Sequence, residues 1–340
     1  MSGVSGETVE HGPVDKSLHH VVMFSSGAGS AVAAKRVAER YGTDRLTLLF
    51  ADVNMEHPDN YRFLREAHAW VGGELVILDN DGRTIWDVFK AQRFLGNTRV
   101  DLCSRVLKRE PMRAWLDANC DPENTVVHLG FDISEEHRIA RAAPHWVPWH
   151  VEAPLCWEPV VWKDQAIERL AAAGIEAPLL TRQGFPHANC GGGCVKAGIG
   201  QFTRLYHDHP DTYAEWERQE EKMRAYLGKD ISILRDRRKV PAMVCPHEVE
   251  WWDEDLEEER TEPAHEDADC PAPVSRMVPN VRPLTLRSLR VRIEDERSLF
   301  SLLDADEGDS CNCMGDYADE VPVTIGLLPH SGSTTESGQS

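Results

Sequence analysis

His19–Gly42 reads H-H-V-V-M-F-S-S-G-A-G-S-A-V-A-A-K-R-V-A-E-R-Y-G, and the architecture of the chain follows outward from it. Val21, Val22, Met23 and Phe24 make an apolar run short enough for a buried strand. The run breaks into a small-residue turn, Ser25-Ser26-Gly27-Ala28-Gly29-Ser30, and then into helical periodicity. Ala31, Val32, Ala33, Ala34 and Val37 supply the apolar face, with Ser30 expected as N-cap and Gly42 where a C′ glycine belongs. In a strand, tight loop and helix in series, loop N–H groups turn toward one point and the helix dipole favours negative charge there. A phosphate is the natural occupant. The Walker pattern fails because no Lys precedes Ser30, and the G-x-G-x-x-G dinucleotide pattern lacks its last glycine.

The loop resembles the S-G-G-x-x-S pyrophosphate loop of the adenine-nucleotide alpha-hydrolase superfamily. Ser25, Gly27 and Ser30 are in place, and Ser26 stands where the first glycine usually is. The plainer alternative is a tight strand-to-helix turn of the kind any α/β protein contains.

With 340 residues the chain holds one large or two modest domains with a real core. A formal charge of −20 argues against broad non-specific nucleic-acid binding, while leaving room for a local basic patch. No apolar run reaches transmembrane length, and the N-terminus lacks a basic stretch followed by an apolar core, so a cytoplasmic protein without membrane partners is expected. Nine cysteines without an export signal point to reduced thiols or metal ligands rather than to disulfides.

Further strands are expected at Leu46–Ala51, Glu74–Leu78, Thr125–Leu129 and Trp146–Val151. Helices are expected at Pro58–Val71, Thr84–Lys90, Asp101–Asn119, Lys163–Ala173 and His207–Leu227. This alternation predicts a Rossmann-like, doubly wound parallel sheet of the α/β class, with ligands beyond the carboxyl ends of its strands. Residues 18–205 would form this domain, preceded by a flexible 1–17. A helical extension (206–240), an acidic Pro-rich region (241–316) and a disordered tail (317–340) would follow. Thr285–Ile293 reads as either a strand or a helix, the acidic run Glu250–Arg260 as a solvated extension, and His19 and His20 as solvent-exposed.

Cys103-Ser-Arg-Val-Leu-Lys-Arg-Glu-Pro-Met112 resembles the C-C-x-x-R-K-x-E-P-L segment of adenylylsulfate reductases. Ser104 replaces the second cysteine, and Lys108, Glu110 and Pro111 are retained. Asn189-Cys-Gly-Gly-Gly-Cys-Val-Lys196 occupies the place of that family's later cysteine pair, with one extra residue between the thiols. The order of loop, Cys103 and cysteine pair resembles the phosphoadenosine phosphosulfate reductase family over residues 18–205, and within it an actinobacterial and phage branch. Gly130-Phe-Asp-Ile-Ser-Glu-Glu-His-Arg138 aligns with G-x-R-x-x-E-S-x-x-R, but Asp132 stands where an arginine would grip sulfate. The C-terminal E-C-G-[IL]-H signature is echoed only by Asp309-Ser-Cys-Asn-Cys313.

The resemblance implies ATP or an adenylyl sulfate, with Mg²⁺, on Ser25, Ser26, Gly27, Ala28, Gly29, Ser30, Asp52 and Gly130. It implies Lys108, Arg138 and Cys311 as catalytic candidates. A thiolate set of Cys103, Cys190, Cys194 and Cys313 suits an iron–sulfur cluster or Zn²⁺, with Cys311 or His187 as other candidates for the fourth place. Buried or loop thiols without metal are the alternative for the same residues. The activity implied is ATP-dependent adenylation coupled to sulfur transfer, drawing on a sulfur donor protein or thiol reductant, with a nucleic acid among the acceptors and a homodimer among the assemblies. Adenylyl-sulfate or phosphoadenylyl-sulfate reduction is the rival enzyme. A non-catalytic nucleotide-sensing or scaffold protein is the rival from another class, since Ala28 and Gly29 replace the Lys-Asp often found in ATP-using loops.

Overall fold

The computed structural model describes residues 17–97, 100, 102–186, 188–244, 248–253, 258–263, 274–279 and 281–295. Strand β1 (His19–Met23) leads through helix α1 (Ala28–Tyr41) to β2 (Leu46–Ala51), α2 (Pro58–Val71), β3 (Glu74–Leu78) and α3 (Ile85–Gln92). The chain then forms α4 (Leu102–Ser104), a π-helical turn (Arg105–Arg109), α5 (Glu110–Asn119), β4 (Thr125–His128), α6 (Glu136–Ala142) and β5 (His150–Glu152). Helices α7 (Lys163–Ala172), α8 (Leu179–Arg182), α9 (Ile199–Asp208) and α10 (Pro210–Leu227) come next. After them lie β6 (Leu234–Asp236), β7 (Lys239–Val244), β8 (Glu248–Asp253), β9 (Glu258–Pro263), β10 (Val274–Pro279), β11 (Arg282–Leu284) and α11 (Leu286–Glu294).

Five parallel strands in the order β3-β2-β1-β4-β5 make the central sheet, the expected α/β, Rossmann-like arrangement. The chain winds outward from β1 to β3 and then resumes at β4 on the other side of β1. Its topological switch point therefore lies between β1 and β4, where such sheets open a crevice. Alternation along β1 feeds two cores. Val22 and Phe24 pack with α1, α2 and α7, whereas Val21 and Met23 pack with Met112 and Leu116 of α5 and with Trp146. A third core, from Val53 and Phe89 through Trp216 to Leu286 and Ile293, includes all three thiols Cys103, Cys190 and Cys194.

Several expectations shift for local reasons. Helix α1 begins at Ala28, so Ser30 is its third residue, with Gly27 as N-cap. The helix expected over His207–Leu227 is two helices, because Pro210 cannot continue α9 and instead starts α10. Thr285–Ile293 is helical, with Thr285 Oγ1 accepting the Ser288 N–H at 3.0 Å. The acidic run contributes two paired antiparallel strands, β8 and β9. His19 and His20 belong to β1 rather than to solvent. His20 is buried, stacked on Tyr41, with its Nδ1 2.9 Å from His128 Nε2.

Helices α9 to α11 close the third core, and a buried carboxylate ties them. Glu220 of α10 is fully buried, its Oε1 accepting the Ile233 N–H at 2.8 Å and its Oε2 the Leu286 N–H at 2.6 Å. Two segments far apart in sequence are thus held to one side chain.

Candidate functional site

Loop 25–30 lies at the switch point, between the carboxyl end of β1 and the first turn of α1. Three donors converge on Ser30 Oγ: the Ser25 N–H at 3.2 Å, the Ser25 hydroxyl at 3.2 Å and the Gly27 N–H at 3.3 Å. Ser30 Oγ in turn donates to the Gly27 carbonyl at 3.0 Å. No acidic residue occupies the first turn of α1, so the positive end of its dipole is left unneutralised. Converging N–H groups at an uncancelled helix N-terminus are what an anion requires.

Ser26 has φ +57°, a left-handed conformation that disfavours any residue with a Cβ. The strain is held by its buried hydroxyl, which donates to the Asn60 carbonyl of α2 at 2.9 Å. Two substitutions separate these effects. Ser26→Gly removes the strain together with the bond and should leave stability within about 1 kcal/mol of wild type. Ser26→Ala keeps the strain and loses the bond, and should destabilise by about 1–2 kcal/mol in urea denaturation. Equal effects would mean that the left-handed backbone costs nothing here, and a Ser26→Ala variant as stable as wild type would mean that the hydroxyl contributes nothing.

Gly130, just beyond β4, closes the crevice from the other side. A Cβ there would stand 2.9 Å from Ser30 Cα and 3.1 Å from Ser30 N, both backbone atoms that cannot step aside. A Cβ on Gly29 would in turn meet the Gly130 carbonyl at 3.3 Å. Gly130→Ala should therefore push the segment after β4 off α1, with an overpacking cost of about 1–3 kcal/mol. Urea denaturation checks this, and wild-type stability in the variant would show that the crevice tolerates the shift.

Asp52 follows β2, and its Oδ1 accepts the Asn54 N–H and the Tyr61 hydroxyl, each at 2.8 Å. Burial, then this hydrogen bond, pushes the Tyr61 phenol well above its ordinary value, so it remains a donor to Asp52. The Asp52 carbonyl accepts Asn80 Nδ2 at 2.8 Å, and the same Asn80 Nδ2 reaches the Leu107 carbonyl at 2.8 Å. Pro111 explains why that carbonyl is available: it has no N–H to offer the residue four before it. The Glu110 N–H meanwhile bonds the Arg105 carbonyl, widening the helix to i→i+5. Lys108 lies within this π turn, five residues after Cys103.

Lys108 is buried, with its Nζ 3.7 Å from Glu56 Oε1 and Cys103, Cys190 and Cys194 close enough to act on its charge. Burial opposes the ammonium, but Glu56 and the sulfurs outweigh it and raise Lys108 above the usual lysine value. Glu56 is buried as well. Desolvation pushes its carboxyl up, against Lys108, the Cys190 N–H bonded to Oε2 at 2.9 Å, and Asn60 Nδ2 at 3.3 Å. The Cys190 thiol is hydrogen-bonded to Cys194, and this together with burial pushes it far above an ordinary thiol. Cys194 Sγ also accepts the Lys196 N–H at 3.5 Å.

The glycines between the two cysteines each have a local reason. Cys190, Gly191 and Gly192 have φ of +54°, +64° and +89°, a left-handed run that folds the chain back so that the sulfurs meet. Gly193 lies flat on the Trp216 indole, where a Cβ would come within 2.2 Å of the ring. Cys190 and Cys194 are thus brought together, and Cys103 lies in the same buried core beside Lys108. Among the described residues, no three His, Cys, Asp or Glu side chains are arranged to hold a metal ion, and the Lys108 ammonium beside the sulfurs would oppose a bare cation. Cys311, Cys313 and His187 lie outside the described residues.

Arg138 of α6 is buried, paired with Glu135 and with its guanidinium 4.7 Å from the Phe131 ring centroid. Asp132, where a sulfate-gripping arginine would stand, accepts the Ser134 N–H at 2.9 Å and the Ser134 hydroxyl at 2.5 Å, ordering the turn before α6.

One connected network joins the two halves of the site: Ser26 to Asn60, Asn60 to Glu56, and Glu56 to both Cys190 and Lys108. Glu56, Asn60 and Asn80 escape a sequence reading. The available signal was Glu56-His-Pro-Asp-Asn60, polar residues at a helix start directly beyond the carboxyl end of β2.

No family model matches the chain, and no curated protein does. Among solved structures it is similar to phosphoadenylyl-sulfate (PAPS) reductase from Candida auris in a phosphate complex, at 16% identity and a TM-score of 0.35, covering 48% of this chain and 78% of that one. It is also similar to NH3-dependent NAD synthetase from Campylobacter jejuni subsp. jejuni NCTC 11168 in complex with the nitrate ion. The identity there is 15% and the TM-score 0.35, with 62% of this chain and 86% of that one covered. No helix among the described residues is long and apolar enough to cross a membrane.

Proposed function

We propose that the chain is an enzyme of the pyrophosphate-loop type, binding ATP or an adenylyl sulfate at Ser25–Ser30 and coupling it to sulfur chemistry at Cys103, Cys190 and Cys194. The network from Ser26 through Asn60 and Glu56 to Cys190 and Lys108 carries this reading, because it sets the loop and the thiols on one rigid wall.

In this reading the N–H groups of the loop and of the first turn of α1 surround the pyrophosphate, with the Ser25 and Ser30 hydroxyls beside them. Asp52 serves the adenosine edge or Mg²⁺. An acceptor oxygen attacks the α-phosphorus of ATP and pyrophosphate leaves. The same donors stabilise the negative charge that builds on the α-phosphate, without reorganising as it does so. A sulfur nucleophile then bonds to the activated carbon, the carbon–oxygen bond breaks, and AMP departs with the electron pair. Lys108 would stabilise the negative charge on that sulfur as it gives up its proton and attacks, and Arg138 is the further candidate for transition-state charge. Sulfate reduction is the weaker reading, because Asp132 offers a carboxylate where sulfate would need a cation.

The thiols would be the sulfur-handling end whether or not they hold a centre, and an iron–sulfur centre would supply redox capacity or an open site for sulfur. Analysis of iron, zinc and acid-labile sulfide in anaerobically purified protein, beside Cys103→Ala and Cys190→Ala, distinguishes these forms. Iron with sulfide, lost in both variants, assigns the three cysteines to a cluster with one further ligand. Zinc alone makes them structural, and absence of metal leaves the thiols themselves as the carrier. The enzyme reading as a whole is overturned if ATP binds tightly yet no pyrophosphate is released with RNA, DNA and a sulfur donor present.

A further inference from the structure

The chain carries 57 acidic residues against 37 basic ones, so cavities lined by both signs of charge are expected. A cavity of about 870 Å³ between α9, α10 and α11 fits this. Arg290 lies 2.8 Å from Glu217 and 3.3 Å from Glu294, and Arg287 lies 3.6 Å from Glu217.

A second cavity, of about 260 Å³, departs from the rule. It lies between the loop after α3, the turn after α10 and β6, and Arg93, Lys229 and Arg235 line it. Asp230 also lines it, but that carboxylate is engaged by Arg224 at 3.0 Å. Among the described residues Lys229 and Arg235 have neither an ion pair nor a side-chain hydrogen bond, and Arg93 has no carboxylate partner. Instead the Arg93 guanidinium sits 5.3 Å from the Tyr226 ring centroid, which holds it in place without cancelling its charge. The rest of the wall is mainly apolar, with Phe94, Leu227 and Ile231 half-buried, and includes the polar Asn97 and Ser232. Cations at the rim and an apolar floor match the two ends of a nucleotide, and the volume suits one such unit better than a dinucleotide.

We propose that this cavity is a second nucleotide site, separate from the loop at α1. Arg93, Lys229 and Arg235 take the phosphate, and Phe94, Leu227 and Ile231 take the base. Its position gives it a use. Gly96, three residues after Arg93, lies against Val195, where a Cβ would come within 3.2 Å of Val195 Cγ2, and Val195 follows Cys194. The site is thus one loop away from the thiols, where a nucleic-acid acceptor would be held. That role rests on the proposed function, whereas the binding itself does not.

The bound unit is either one residue of a strand or a free nucleotide, and the test separates them. Fluorescence anisotropy follows a labelled ten-nucleotide oligothymidylate on the full chain, with thymidine monophosphate and thymidine as competitors. Wild type should bind the strand, the monophosphate should compete, and thymidine should not. Arg93→Gln/Lys229→Gln/Arg235→Gln should bind about tenfold more weakly, and its log–log salt slope should be shallower by about 0.7, the value for one phosphate contact on a single strand. A strand bound more tightly than the monophosphate identifies a nucleic acid; equal affinity identifies a free nucleotide.

The proposal is overturned if neither ligand binds at low salt, or if the triple variant, folded by circular dichroism, binds like wild type. ATP binding should survive in the triple variant, and oligothymidylate binding should survive in Ser30→Ala. ATP binding lost in the triple variant but unchanged in Ser30→Ala would remove the loop reading and leave this one standing.

Discussion

Lys108→Met is expected to destabilise the protein by about 3–5 kcal/mol, the scale for removing one partner of a buried ion pair. The Lys108 and Glu56 side chains retain only 9% and 1% of their exposure, so the surviving carboxyl cannot be rehydrated without opening the core. Two donors would remain to it, the Cys190 N–H and Asn60 Nδ2, and neither carries a full charge. Glu56→Gln/Lys108→Met tests whether the loss is electrostatic. With no charge left to bury, the double variant should be more stable than Lys108→Met alone, in spite of carrying one more substitution. Urea denaturation of the four proteins closes the cycle. A Lys108→Met loss under about 1 kcal/mol would be the value of an exposed pair, and would mean that water reaches Glu56. Because Glu56 also holds Asn60, and through it Ser26, the proposed function has Lys108→Met weaken ATP binding at the loop as well.

The parts of this molecule legible in the sequence are those written in local pattern. Leu46–Ala51, Pro58–Val71 and Glu74–Leu78 stand where apolar periodicity and the flanking glycines put them. The Ser25–Ser30 loop is likewise local, since Gly27 and the small residues around it must sit between a strand and a helix. What periodicity could not reveal is tertiary. Nothing in Ser30 tells an N-cap from a third helical residue whose hydroxyl bonds back to the loop; only the packing of Gly130 against its backbone separates the two. Pro111 was visible as a retained motif residue, but its consequence needs Asn80, which arrives from β3 to take the released Leu107 carbonyl. Glu56 looked like one of many acids in an acidic chain. Its burial follows from a glycine-rich turn 134 residues later folding onto it.

Glu220→Ala should cost about 3–5 kcal/mol, because it orphans two buried backbone donors and opens a cavity beneath them. The Ile233 and Leu286 N–H groups belong to separate segments and converge on a carboxyl that shows no exposed surface. Water cannot replace it. Glu220→Gln keeps the volume and one acceptor but turns an amide N–H₂ toward the other donor, so it should cost about 1–3 kcal/mol near pH 5. The pH dependence then separates a charged tie from a neutral one. Burial pushes the Glu220 carboxyl up to about 7 against the Ile233 and Leu286 N–H groups, from an ordinary value of 4.5. The folded state therefore binds more protons than the unfolded state between those values, and the group's contribution to stability falls as pH rises through that window. It is full below 4.5 and lost by the time pH passes 7. The amide introduced by Glu220→Gln cannot titrate, so the variant's deficit relative to wild type should fall by about 2.5 kcal/mol between pH 5 and pH 8, vanishing or turning into a gain, from the linkage of one group. Taking the difference between the two proteins removes the buried His128, whose proton affinity is lowered by burial and then by His20, and which adds a slope of opposite sign below pH 6.5. A deficit that stays constant with pH would show the carboxyl ionised throughout, with its two hydrogen bonds outweighing the desolvation.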